Sequence, residues 1–378
     1  MQTDPGVRKS IVRDVSLSLF IYALPVALLF LTFSLRGQHR WHNPLSTNQS
    51  WWLGRWNEWG VTGFMVVLGL VEFVLGLYDR DHWNGNEKLT DLACFALPRV
   101  LVRPFFTYFS LKALPFLLPE AKSVFAWVPF WWGFFIICIA DDLTQYWYHR
   151  LHHQLPWLWR FHRTHHSAPY MGMSMASRQN IFYTIFFSQT YVTSGLVYFG
   201  LGPSALVVHA IKSMITTLAH SSIPWDKPFY KYKALHPAAW VLERLISTPA
   251  THHAHHAATT DDGIGYYKGN FGNMFFLWDV MFGTGHISRQ YPEAFGISHY
   301  EGDPWYAQVF WPVFKSNIPG SELAADGPDV REDVREVRKQ SVEAGVARRS
   351  NKPREGCLIR VSGERFQERH DFGRAPRT

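Results

Sequence analysis

Residues Val124–His153 read VFAWVPFWWGFFIICIADDLTQYWYHRLHH. Two kinds of sequence follow one another here. Up to Ala140 the stretch is apolar and aromatic, with Trp127, Trp131 and Trp132 near its start, as in a helix that leaves water. From Asp141 it turns polar, and its last turns carry His149, His152 and His153. Residues four apart share a helix face, so His149 and His153 can point at one metal, with Tyr146 and Asp142 one and two turns earlier on a nearby face. His152 is rotated about 100° from His153 and is the poorer ligand.

The apolar half has counterparts along the chain. Val15–Leu35 follows a basic start (Arg8, Lys9, Arg13) and is long enough to cross hydrocarbon at about 20 residues. It exceeds a signal-peptide core and lacks a small-residue cleavage site, so it reads as a retained span. Asn43–Trp59 is polar and Trp-rich, an interfacial composition. Val61–Tyr78 reads as a span carrying one carboxylate, Glu72. Leu92–Leu118 is broken by Arg99, Arg103 and Pro115 and admits an interfacial segment followed by a span; Pro119–Lys122 reads as a turn. Ile181–Leu201 and Pro203–Ala219 read as a hairpin into the membrane. Beyond Gly320 the chain is charged and poor in aromatics, with a surface helix expected over Asp329–Lys339 and disorder elsewhere.

The expected fold is therefore all-α, with about four to six transmembrane helices and a histidine-rich helical cap in the cytosol. Residues 1–60 would form an N-terminal span and interfacial segment, 61–320 the catalytic membrane domain, and 321–378 the tail.

Composition agrees. The chain is 47% hydrophobic and only 18% charged, below the quarter usual in soluble domains. Its net charge of +7 comes from residues flanking the apolar runs, so anionic lipid headgroups are the expected partner and nucleic acid is not. Arg150, Arg160, Arg163 and Arg178 border the first histidine-rich region, and Lys227, Lys231, Lys233 and Arg244 lie in the second. Both regions are thereby assigned to the cytoplasmic face. Cys94, Cys138 and Cys357 are far apart, which excludes a disulfide framework and a cysteine zinc site. Gly263, Gly265 and Gly269 have neither the spacing nor the preceding strand of a dinucleotide loop.

Histidines recur in boxes. The second is His162-Arg-Thr-His165-His166, where His162 can join His165 on one metal while His166 reaches another. The third is His252-His253-Ala-His255-His256, which repeats the spacing at His252, His255 and His256, and His220 lies between. A tetrahedral zinc needs about four ligands, so this supply implies two metals. Imidazole suits zinc, copper, iron and nickel, but zinc has no redox chemistry whereas iron pairs activate O2. Asp141, Asp142, Asp261 and Asp262 are candidate acceptors that fix imidazole tautomers. His39, His42, His82, His236, His286, His299 and His370 keep ordinary roles, with His209 and His253 intermediate. The competing reading is a zinc-handling membrane protein without redox activity. Transport ligands usually lie within spans, whereas these follow them.

Tyr146–His153, Phe161–Ser167 and Thr248–His256, followed by Gly269–Gly272 and Trp278–Thr284, together resemble the sterol desaturase / fatty acid hydroxylase superfamily over roughly residues 61–287. The resemblance implies a helical membrane fold under a cytosolic di-iron domain. It implies His149, His153, His162, His165, His166, His220, His252, His255 and His256 as ligands of two iron ions. O2 would be co-substrate, with electrons from NAD(P)H through a separate cytochrome b5-like or ferredoxin-like carrier and its reductase. The substrate would be a membrane lipid, sterol-like or fatty acyl, hydroxylated or desaturated. The location would be the endoplasmic reticulum or a bacterial inner membrane. Two departures stand out: Thr251 replaces a histidine common in the family, and Ser222 replaces an asparagine.

Overall fold

A computed structural model describes residues 13, 14, 16, 47–77, 84–298, 300 and 302–325. The first expected span, the expected tail helix and His39, His42, His82, His299 and His370 lie outside these residues. The regular secondary structure of the described residues is helical, apart from two isolated bridges (Ala257 with Phe295, Ser316 with Ala324).

Helix α1 covers Thr47–Val74 and α2 Gly85–Leu97, the latter capped by the Asn84 side chain, which accepts from the N–H groups of Asn86 and Glu87. Short helical turns and two π-widened segments, Pro98–Val102 and Phe109–Ala113, lead to α3, Phe130–Gln154. Helix α3 starts after Pro129 and stops where Leu155 becomes extended. Pro156, pre-set for a first helical turn, then opens α4, Pro156–His166.

The next apolar arm contains α5, Ser188–Leu196, and α6 spans Gly202–His220. Tyr183 lies beside Tyr148, Thr193 beside Asp141 and Tyr198 beside Ser123, so α5 runs antiparallel to α3. At Gly200 the chain turns with φ +112°, where a Cβ would lie 2.7 Å from the Ala126 nitrogen. Helix α6 then returns alongside α3, from Ser204 at the Phe130 carbonyl to Lys212 at Asp141. Gly133 permits that approach, since a Cβ there would sit 2.7 Å from Ser204 Oγ. Val128, Ile136, Ile137, Leu201, Ala205 and Val208 fill the seam.

Four shorter helices complete the fold: α7 (His236–Leu245), α8 (Pro249–His255), α9 (Leu277–Phe282) and α10 (Trp305–Phe310). Helix α9 closes a second apolar cluster in which Trp278 and Phe282 pack with Leu143, Tyr146 and Phe271.

The described residues do not confirm the four to six crossings expected. Among the described residues one stretch, Ile181–His220, is long and apolar enough to cross a membrane, and Gly60–Val74 is shorter. The apolar run expected over Val124–Ala140 fails because its first residues form turns and helix begins only at Phe130. Residues 130–140 extend about 16 Å, roughly half the hydrocarbon thickness. Large apolar side chains are nonetheless widely exposed, among them Val74 (79%), Phe116 (84%), Val100 and Trp131.

Candidate metal centre

Four helices converge on one point. Helix α3 brings His149 and His153, α4 brings His162, His165 and His166, and α6 ends at His220. Helix α8 carries His252 and His255, with His256 as its C-cap. Being so short, α8 depends on its start. Pro249 occupies the first turn, Thr251 Oγ1 accepts the Thr248 N–H at 3.0 Å, and Thr248 Oγ1 accepts the Thr251 N–H at 3.5 Å. The residue that departs from the family pattern is thus half of a reciprocal cap.

The histidines form two groups, His149, His153, His162, His166 and His255 in one and His165, His220, His252 and His256 in the other. Within each group the ring nitrogens all lie within 4.8 Å of one another. Every expected ligand falls in one of these groups. The anticipated sharing of a metal by His162 and His165 is not seen: His162 groups with His166, one turn on, and His165 turns to the other group. His152 instead donates through Nδ1 to the Tyr148 carbonyl at 2.7 Å, and His253 through Nε2 to the Ser221 carbonyl at 3.1 Å. His236 Nε2 lies 3.1 Å from the Tyr230 carbonyl, His286 packs on Tyr266, and His209 lines a cavity.

Hydrogen bonding tests whether metal ions fit. His149 Nδ1 lies 2.7 Å from the Phe271 carbonyl and His255 Nδ1 2.7 Å from that of Gly269. In the second group, His220 Nδ1 meets the Thr216 carbonyl at 2.7 Å and His165 Nδ1 the Arg178 carbonyl at 3.1 Å. A carbonyl only accepts, so each Nδ1 carries the hydrogen and each neutral ring has a bare lone pair on Nε2. Yet Nε2 of His149 and His255 are 3.1 Å apart, and those of His165 and His220 are 3.2 Å apart. Two facing lone pairs at that distance repel unless a cation lies between them. One such pair occurs in each group, and buried His153, His162 and His166 add Nε2 atoms without hydrogen-bond partners. The donor set fits two metal ions.

Electrostatics favour the same state. Burial, reinforced by neighbouring imidazoles, holds His149, His153, His162, His165, His166, His252 and His256 well below the usual histidine range. Burial pushes His255 down to about 3. Neutral imidazole is the ligating form.

The carboxylates expected to hold the imidazoles do not touch them. Asp141 and Asp142 pair with Lys212, and Asp142 also accepts from Trp278 Nε1 at 2.9 Å. Asp261 is exposed, and exposed Asp262 accepts from the N–H groups of Ile264 and Gly265. Backbone carbonyls take that role, and other side chains hold the carbonyls. Asp279 accepts from the N–H of Phe271 at 2.9 Å and of Gly272 at 2.6 Å, setting the loop whose carbonyl orients His149. A Cβ on Gly272 would meet the Phe275 carbonyl at 2.4 Å.

Arg178, fully buried, pairs with Glu87 at 2.7 Å and Asp91 at 2.8 Å and donates to the Thr164 carbonyl, while its own carbonyl holds His165. Glu72, near the end of α1, accepts from Ser221 Oγ at 2.6 Å and the Ser222 N–H at 2.9 Å, just past His220. Glu72 was visible as a carboxylate within an apolar run and Asp279 within the closing motif. Nothing local marks Arg178 beyond its charge.

A cavity of about 670 Å³ opens against both groups, touching His149, His162, His165 and His220, and runs between α3, α5 and α6. Helices and cavity define a class: an all-α protein with two adjacent all-histidine groups, each able to hold a metal ion, at the wall of a cavity.

Residues 134–284 match the fatty acid hydroxylase family model. Over that stretch the chain is similar to the sterol desaturase / fatty acid hydroxylase superfamily. It is 26% identical to alkylglycerol monooxygenase of Danio rerio over 278 residues, 67% of this chain and 55% of that protein. The Homo sapiens protein of the same name is 24% identical over 246 residues, 63% of this chain and 49% of the relative. The Xenopus tropicalis protein is 26% identical over 168 residues, 44% and 33%. The chain thus spans about half the length, or less, of these relatives. No solved structure matches it.

Proposed function

We propose that the chain is a membrane-bound, O2-dependent oxygenase that hydroxylates a lipid at a histidine-held iron pair. The observation that carries the reading is the pair of histidine groups, with Nδ1 atoms on carbonyls and bare Nε2 atoms converging beside a cavity. The name of the relatives supports monooxygenation and makes alkylglycerols the first lipids to screen. Exposed apolar side chains on α1, around residues 100–118 and at the start of α3 support a bilayer setting. Electrons would come from a separate carrier and its reductase, and the site would face the cytoplasm.

An iron pair bound here supplies the oxidising power to break an unactivated C–H bond when O2 and electrons arrive. The chain's residues do the rest. Carbonyl-held imidazoles keep their lone pairs aimed inward, which sets the tautomer and ring orientation that each ligand needs. Burial of nearly all of the ligands excludes bulk water. The cavity wall, with Tyr183 stacked on His162 at 4.8 Å between ring centroids, limits where a carbon can approach.

The test is metal content by mass spectrometry on protein purified anaerobically in detergent from iron-supplied cells, followed by a lipid screen under O2. An iron pair per chain and an O2-dependent lipid alcohol are expected. Zinc alone, with no product after iron reconstitution, would move the reading to a zinc-handling protein; an alkene product would make the enzyme a desaturase.

A further inference from the structure

Away from the histidines, the cavity wall carries an ion pair. Lys212 Nζ donates to Asp141 Oδ2 and lies 3.3 Å from Asp142 Oδ1. Lys212 belongs to the stretch long and apolar enough to cross a membrane, where a charge is costly and marks function. Asp141 also accepts from Thr193 Oγ1 at 2.6 Å. One turn earlier on α5, Gln189 is 5% exposed and lines the same cavity, yet its Oε1 has no partner. A buried acceptor left open in a cavity wall is placed to meet a donor on a ligand.

The position of this cluster is set by the helices. His149 follows Asp141 on α3, and His220 follows Lys212 on α6, by the same eight residues. The two helices run parallel, so Asp141 and Lys212 lie about 12 Å along them from the histidines, and Gln189, one turn along antiparallel α5, lies about 6 Å nearer. Its charge sets what it can take. One cation beside two carboxylates gives no positive excess, so a carboxylate or phosphate gains nothing here. A hydroxyl fits: its hydrogen can go to Gln189 Oε1 or Asp141, and its oxygen can accept from Lys212.

We infer that Asp141, Lys212 and Gln189 form a subsite for a lipid hydroxyl group, held about 6–12 Å from the metal-binding histidines. The ligand is a neutral hydroxylated lipid rather than a fatty acid anion. On the oxygenase reading above, on which this part rests, the carbon oxidised is remote from that hydroxyl. An alkylglycerol seated this way would present a methylene well down its alkyl chain.

The experiment uses the iron-loaded protein in detergent and radiolabelled 1-dodecanol, dodecanoate and dodecane. Binding is measured by equilibrium dialysis under nitrogen, and products are then mapped under O2 with a reductant. Dodecanol should bind about tenfold tighter than the other two, the worth of a buried hydrogen bond. Gln189→Met, and separately Asp141→Asn combined with Lys212→Met, should erase that preference while metal content stays constant. Oxidation should fall on the distal half of the chain. Equal binding of dodecanol and dodecanoate, or a preference unchanged in both variants, would overturn the subsite; oxidation beside the hydroxyl would overturn its distance from the metals. Intact hydroxyl preference with no product at all would instead overturn the oxygenase reading and leave the subsite standing.

Discussion

At the scale of single residues, the site is a problem in where hydrogens sit. Four of the imidazoles give their Nδ1 hydrogen to a backbone carbonyl, which leaves Nε2 as a donor of electrons and nothing else. His149→Ala, His165→Ala or His255→Ala should therefore each abolish turnover and lower bound metal, read by mass spectrometry of the purified variant. His236→Ala and His286→Ala, whose rings lie outside both groups, should change neither. Titration follows from burial. His253 and His255 are pushed down to about 3 and His152 to about 4, from an ordinary value of 6.5. The unfolded chain then takes up protons first as pH falls, so stability is fully present above about pH 6.5 and drains away toward the folded values. Thermal melts of metal-free protein between about pH 8 and pH 4 should show a plateau, then a steep fall. A flat profile would mean the imidazoles are not held neutral.

At the scale of elements, the pairing of His149 with His153 was legible, because a helix repeats its face every three to four residues, but the same rule allowed His162 either His165 or His166, and the expected partner, His165, was the wrong one. What held the rings was not. The acceptors are carbonyls of Phe271, Gly269, Thr216 and Arg178, and a carbonyl looks the same on every residue. Sequence therefore suggested Asp141 and Asp142, which are instead engaged by Lys212. The buried Arg178 shows what such placement costs. It joins α2 through Glu87 and Asp91 to the C-terminal end of α4 through Thr164 and Ser167. Lysine lacks the fork that makes these contacts together. Arg178→Lys should cost about 3–5 kcal/mol, seen as a lowered melting temperature, and should loosen metal binding through His165. Unchanged metal retention would mean the Arg178 carbonyl is held by the backbone alone.

At the scale of the whole molecule, the helical class and the convergence of the boxes were legible, but the number of crossings was not. The reversal at Gly200 was legible as a hairpin between Ile181–Leu201 and Pro203–Ala219, whereas composition does not reveal that the helix of α3 begins only at Phe130. The exposed Val74, Val100, Phe116 and Trp131 lead to one expectation for the intact protein. It should stay in the pellet through salt and alkaline washes of membranes and be released by detergent; release by salt would point to a peripheral, charge-held protein. One further property follows from α8. This helix sends His255 to one group and His252, with the neighbouring His256, to the other, and α4 divides its histidines likewise. Neither site can assemble without setting the pitch and rotation of helices that the other also needs. Loading the first ion should thus lower the ordering cost of the second. An anaerobic metal titration should then be sigmoidal, with half-loaded molecules scarce at every ratio of metal to protein.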